Sequence, residues 1–174
     1  MKSLILAMLA VGLVGCADTH HVMREKTSAS IQVRQGDKVL VGVSKDGHYA
    51  TKNYVGSGIK TSQIIALALA GLPLRVEIAP QFMSHDNALL AGRQMQATYL
   101  IYPTILGWED RATEWSGIPD RVEVKFEIIE VATGTTIDEG VINGKSGLAT
   151  FGGDHPEDLL PKPVSAYIGT VFNK

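Results

Sequence analysis

The chain has 174 residues, 45% of them hydrophobic and 20% charged, with a formal net charge of −2 and a single cysteine. This excludes a disordered polymer, a miniprotein stapled by disulfides, and a nucleic-acid binder with a basic face. It bounds one domain, large enough to be held by an apolar core alone.

Met1-Lys2-Ser3 carries one positive charge ahead of an unbroken apolar or small run, Leu4 to Val14. A transmembrane helix needs roughly 20 apolar residues, whereas a signal-peptide core needs about 7–15. The run fits the second and ends in Leu13-Val14-Gly15-Cys16. Charge, apolar run, small residues and cysteine in that order resemble the lipobox of bacterial lipoproteins. The resemblance implies that residues 1–15 are a signal peptide and that Cys16 is the lipid-modified first residue of the mature chain. Each buried acyl CH₂ contributes about 0.8 kcal/mol, so several chains on one cysteine anchor it permanently. In enteric lipoproteins an aspartate after the cysteine retains the protein in the inner membrane. Ala17 therefore points to the outer membrane, although Asp18 follows one position later.

Residues 16–30 are polar and lack a clear period, and are expected to be a tether to a domain over 31–174. His20-His21 within them is expected to be solvated rather than metal-bound. Lys38 to Val43 is an apolar run bounded by turn residues and predicts a buried strand. A loop from Asp46-Gly47 to Gly56-Ser57-Gly58 leads into a helix carrying Ile64, Ile65, Leu67, Ala68 and Leu69. Ser57 or Thr61 is the expected cap, and Gly71 with Pro73 the stop.

Arg75 to Ala79 predicts a second strand, closed by Pro80. Ser84 caps a helix to about Gln96 that packs Ala88, Leu89 and Met95 inward. Thr98 to Leu106 predicts a third strand. From Arg121 to Val131, Val122, Val124, Phe126 and Ile128 alternate with charged residues, the pattern of a strand with one wet face. Ala132-Thr133-Gly134-Thr135 turns the chain into a partner strand, Thr136 to Ser146. Asp154 and Glu157 fit a capping box ahead of a closing amphipathic helix, broken or kinked at Pro161 and Pro163. The expected fold is a single-domain α/β sandwich with a mixed sheet. Its order is βαβαβ, a hairpin, then a helix, with the helices mainly on one face.

Three segments carry a further resemblance: Gly56-Ser57-Gly58 with Thr61; Tyr102 to Leu106 with Trp108 to Gly117 and Pro119-Asp120-Arg121; and Thr150 to Asp154 with Pro156 and Asp158 to Pro161. Together they resemble a family of proteobacterial lipoproteins defined only as a domain of unknown function. That family supplies no activity and no catalytic residue. At the level of fold alone, the chain is also similar to the α/β domain of curli-secretion and peptidoglycan-synthase-activator lipoproteins.

The densest polar cluster holds Trp108, Glu109, Asp110, Arg111, Glu114, Trp115, Asp120 and Arg121. Tryptophan and arginine dominate binding energies at interfaces, so this loop is the candidate binding surface. Paired carboxylates also suit general acid–base chemistry when burial raises one pKa. Gly56-Ser57-Gly58 before a helix can hold an anion, but it lacks a phosphate-loop ending. Phe151 to His155 has no serine or cysteine between its glycines and no spaced second ligand set. His48 and His85 read as solvated. The expectation is a non-catalytic lipoprotein of the outer membrane, facing the periplasm, without cofactor, metal or nucleic acid. It binds an envelope partner, whether a protein, peptidoglycan or a copy of itself. The alternative is a hydrolase using the carboxylates from Glu109 to Asp120.

Overall fold

The computed structural model describes residues 18–26, 30–111, 118–147 and 155–173. Six strands form one mixed sheet: β1 (Thr19–Lys26), β3 (Lys38–Val43), β6 (Arg75–Phe82), β7 (Tyr99–Glu109), β8 (Arg121–Glu130) and β9 (Thr135–Lys145). Two-residue strands β2 (Ile31–Gln32) and β10 (Phe172–Asn173) pair with each other, as do β4 (His48–Tyr49) and β5 (Lys52–Asn53). The helices are α1 (Ser57–Leu69), α2 (His85–Gln94) and α3 (Pro161–Val171), with a 3-10 turn at Pro156–Leu159.

The sheet order is β1-β9-β8-β7-β3-β6. Strand β3 runs parallel to both β6 and β7, because α1 and α2 are the crossovers between them. β7, β8, β9 and β1 are antiparallel. The fold is the mixed α/β sandwich expected from the alternation of strand and helix patterns.

One face of the sheet is fully covered. Val39, Val41, Ile101, Val122, Val124, Phe126, Ile128 and Ile142 project there against Ile65 and Leu69 of α1 and Val164, Tyr167 and Ile168 of α3. The other face is covered over β3 and β7, where Leu40, Leu100, Tyr102, Ile129 and Val131 meet Ala88 of α2. Two helices thus share one face and one takes the other. Over β8, β9 and β1 no described helix covers that second face. It carries Glu123, Lys125 and Glu127 on β8 and Glu139 and Asn143 on β9. Lys125 bonds Glu139 across the strands at 2.6 Å.

Four boundaries differ from expectation. Within the stretch read as a tether, residues 19–26 form edge strand β1, paired with β9. Its inward-facing arginine hides the period. Arg24 ion-pairs with the fully buried Asp138 of β9, and the Tyr167 hydroxyl donates to the other Asp138 oxygen at 2.7 Å. Strand β6 continues past Pro80, which an edge strand tolerates because one side of it needs no N–H donor. Strand β7 runs on to Glu109 through a bulge between Ile105 and Gly107. Before the closing helix, Asp158 accepts the His155 N–H at 3.1 Å, one position later than the Asp154–Glu157 box read from sequence. Glu157 pairs instead with Lys60 of α1. Pro161 and Pro163 fall in the first turn of α3, where an amide hydrogen has no helical partner to lose.

Candidate functional site

The C-terminal ends of β3, β7 and β9 lie at one end of the sheet, together with the start of β8. This end collects the loops that sequence reasoning singled out. Its geometry divides the predicted residues into three groups.

Trp108 is a core residue, only 1% exposed and not part of an open loop. It pairs in register with Val122 and faces the covered side of the sheet. Gly47 lies against it: a Cβ there would stand 2.5 Å from the Trp108 Cβ, so the close approach requires glycine. The register shift between Ile105 and Gly107 carries the strand past Leu106, its expected end.

Glu109, Asp110, Arg111 and Asp120 form a web. The Arg111 guanidinium donates to Glu109 Oε2 at 2.7 and 3.1 Å and stacks over the Tyr49 ring at 5.0 Å. The Arg111 N–H donates to Asp120 Oδ1 at 2.5 Å. Asp120 is held in turn to Ser146, whose Oγ accepts the Asp120 N–H at 2.9 Å. Asp110 meets the β4–β5 hairpin: Lys52 Nζ stands 3.5 Å from Oδ2, and the Tyr54 hydroxyl donates to its carbonyl at 3.1 Å. His155 Nδ1 lies 3.8 Å from Asp110 Oδ1. The carboxylates are therefore split: Glu109 and Asp120 close on Arg111, and Asp110 closes on the hairpin. Each has a partner on a neighbouring loop or strand, but the buried Oδ1 of Asp110 accepts no hydrogen bond among the described residues. Glu114 and Trp115 lie outside the described residues, as does Cys16.

Arg121 is exposed and opens onto the uncovered part of the sheet. There a groove of about 480 Å³ runs across the strands between Glu109, Arg121, Glu123, Lys145, Thr19 and His21.

Sequence reasoning missed the contribution of Tyr49, Lys52 and Tyr54, which brace Asp110 and Arg111. The visible signal was the alternation of aromatic and cationic residues within a loop bounded by glycines. It also missed what occupies the start of α1. Neither Ser57 nor Thr61 caps that helix: Ser57 Oγ accepts the Gly47 N–H at 2.8 Å, and Thr61 donates back to Ser57 O. Asp46 takes the helix start instead, accepting the N–H groups of Gly58 and Gly56 at 2.9 and 3.1 Å. A carboxylate from the chain thus fills the place where an anion was considered. Gly58 passes so close to the Ser44 carbonyl that a Cβ would sit 2.3 Å from its oxygen.

Among the described residues no group of three or more His, Cys, Asp or Glu side chains converges to hold a metal ion. No described helix is long and apolar enough to cross a membrane.

The fold of this chain is shared with PelC from Paraburkholderia phytofirmans, solved as a dodecamer, at TM-score 0.64 and 20% identity over 90% of this chain and 100% of that one. It is shared also with the lipoprotein GNA1162 from Neisseria meningitidis, at TM-score 0.52 and 14% identity over 76% and 95%. The C-terminal domain of LpoB from Escherichia coli gives a TM-score of 0.44 at 15% identity over 82% of this chain and 93% of that one. The family model described as domain of unknown function DUF4823 matches residues 31–171, and the chain belongs to that family. Comparison with curated proteins gives no significant match.

Proposed function

We propose that the protein is a lipid-anchored domain of the cell envelope, facing the periplasm, and that it works by binding, with a second copy of itself as the first partner. The observation that carries this reading is the half of the sheet that no described helix covers. Charges of both signs alternate there, from Arg121 and Glu123 to Lys125 and Glu139. That face ends at β1, whose outer edge pairs with no described strand. An open edge offers backbone donors and acceptors to another chain, and a face of mixed charge can complement itself. Two relatives in fold support the reading: PelC was solved as a dodecamer and GNA1162 is a lipoprotein. The lipobox-like Leu13 to Cys16 supports the anchor, and Ala17 the outer membrane. Binding rather than catalysis is favoured because Glu109, Asp110 and Asp120 each face a cation or a backbone N–H.

The test is the mass of the mature lipoprotein in detergent, measured by sedimentation across a range of concentrations. A defined oligomer is expected. Met23, 54% exposed on β1, gives the matching variant: Met23→Lys blunts the edge and should shift the protein toward monomer without moving its unfolding midpoint. A monomer that co-sediments with peptidoglycan, or crosslinks to another envelope protein, would move the partner away from a second copy. A monomer that does neither would sink the binding reading.

A further inference from the structure

The strand register decides from which end of the sheet the N-terminus departs. Thr19 pairs with Lys145, Lys145 with Arg121, and Arg121 with Glu109. Strand β1 therefore starts where β7 and β9 finish. Asp18 is fastened at that same end, its Oδ1 accepting the Gly147 N–H at 3.2 Å. Cys16 stands two residues upstream, and two residues of fully extended chain span at most about 7 Å. A lipid on Cys16 leaves almost no slack, so this end of the domain is brought down onto the bilayer. That step rests on the lipid-anchor reading above.

The side chains at this end suit such a contact. Val55 is 89% exposed and Ile118 51%, both on loops beyond the strand ends. Three cations lie over aromatic rings here: Lys45 over Phe82 at 5.3 Å, Lys52 over Tyr54 at 4.6 Å and Arg111 over Tyr49 at 5.0 Å. Asp46 is taken by the start of α1, while Glu109 and Asp110 pair with Arg111 and Lys52. Two of the three cations are thus balanced within the protein, and Lys45 is the one set over a ring with no acid paired to it among the described residues. Rings backed by cations match the headgroup layer, where an apolar body and a polar tip are both accommodated. Exposed apolar tips reach the acyl boundary below it.

We propose that the loops at this end, residues 45–55 together with Ile118, form a membrane-contacting face. It rests on phospholipid headgroups with Val55 dipping beneath them. The acyl anchor and this face are two signals for one surface, and they hold the sheet upright with its uncovered half sideways to the membrane.

The test uses the intact mature lipoprotein in vesicles of phosphatidylethanolamine and phosphatidylglycerol. Val55→Cys and, at the opposite end of the sheet, Thr133→Cys are each labelled with an environment-sensitive fluorophore. Cys16 is the only native cysteine, so once it is lipidated the introduced thiol alone reacts. The Val55→Cys label is expected to be blue-shifted and quenched several-fold more by brominated lipids than the Thr133→Cys label. Mass spectrometry of the N-terminal peptide from the same samples reports the anchor independently. A lipidated peptide with equal quenching at both sites overturns the membrane face and leaves the anchor standing. An unlipidated peptide overturns the anchor and this proposal with it.

Discussion

The Tyr167 hydroxyl donates to Asp138 Oδ1 at 2.7 Å in the interior, joining α3 to β9 beside the ion pair that joins β9 to Arg24 of β1. Asp138 is fully buried, so the two partners satisfy oxygens that water does not reach. Tyr167→Phe removes one donor to a charged acceptor and should cost about 1.5–3 kcal/mol in urea unfolding. Arg24→Met leaves the carboxylate without its cation and should cost nearer the 3–5 kcal/mol typical of a broken buried pair, toward the lower end because Arg24 keeps some exposure. A negligible cost for Arg24→Met would mean that β1 does not hold Asp138.

The same tyrosine predicts an alkaline limb. Burial, and next the bond to Asp138, push the Tyr167 phenol above its ordinary range. The unfolded chain loses that proton near pH 10 while the folded chain keeps it. Stability is therefore complete below about pH 10 and falls as pH rises beyond it, by about 1.4 kcal/mol per pH unit for one such group. Tyr167→Phe should flatten the loss by that slope in unfolding curves recorded between pH 9 and 11.

Asp46 predicts a capping cost and a failure to bind anions. Asp46→Ala strips two acceptors from the start of α1 and should destabilise by about 0.5–2 kcal/mol. Gly58→Ala drives a Cβ into the Ser44 carbonyl and should cost more than Asp46→Ala. Inorganic phosphate should not raise the thermal midpoint of the wild-type protein. Clear stabilisation by phosphate would show that Asp46 yields the helix start to a ligand.

Trp108 and Arg121 should behave oppositely. Trp108→Ala empties a buried site and should cost about 3–5 kcal/mol. Arg121→Ala lies on the exposed rim and should stay within about 0.5 kcal/mol of wild type, while weakening self-association in sedimentation. If Arg121→Ala left the oligomer intact, the groove beside it would not be the interface.

Cys16→Ser should abolish lipid modification and signal removal, leaving residues 1–15 attached. Membrane fractionation and N-terminal mass spectrometry check it. A wild-type N-terminus at Cys16 carrying no lipid would refute the anchor.

Local patterns were the legible part of this sequence. Val122, Val124, Phe126 and Ile128 alternate because one face of β8 is packed and the other wet, and Ser84 announces α2 as its cap, accepting the Asn87 N–H at 3.4 Å. What stayed hidden depends on partners far along the chain. Arg24 is an inward residue only because Asp138 lies 114 positions away, so β1 carried no recognisable period. Asp46 caps α1 from outside the helix, where a rule confined to neighbouring positions does not look. Within the candidate site, residue types were legible but roles were not. Trp108 and Arg121 stand at neighbouring register positions of paired strands, yet the strand pleat sends one into the core and leaves the other on the rim.

The position of α3 and β10 late in the chain has a consequence for a polypeptide delivered N-terminus first, from a ribosome or across a membrane. Val164, Tyr167, Ile168 and Val171 cover the sheet opposite Phe126, and Phe172 pairs back to Ile31. Until those residues emerge, the part of that apolar face that α1 does not cover lies open and Asp138 lacks its tyrosine. The domain cannot close piecemeal as it appears; it must wait for α3 and β10. During that interval its exposed face is a natural client for a holding chaperone.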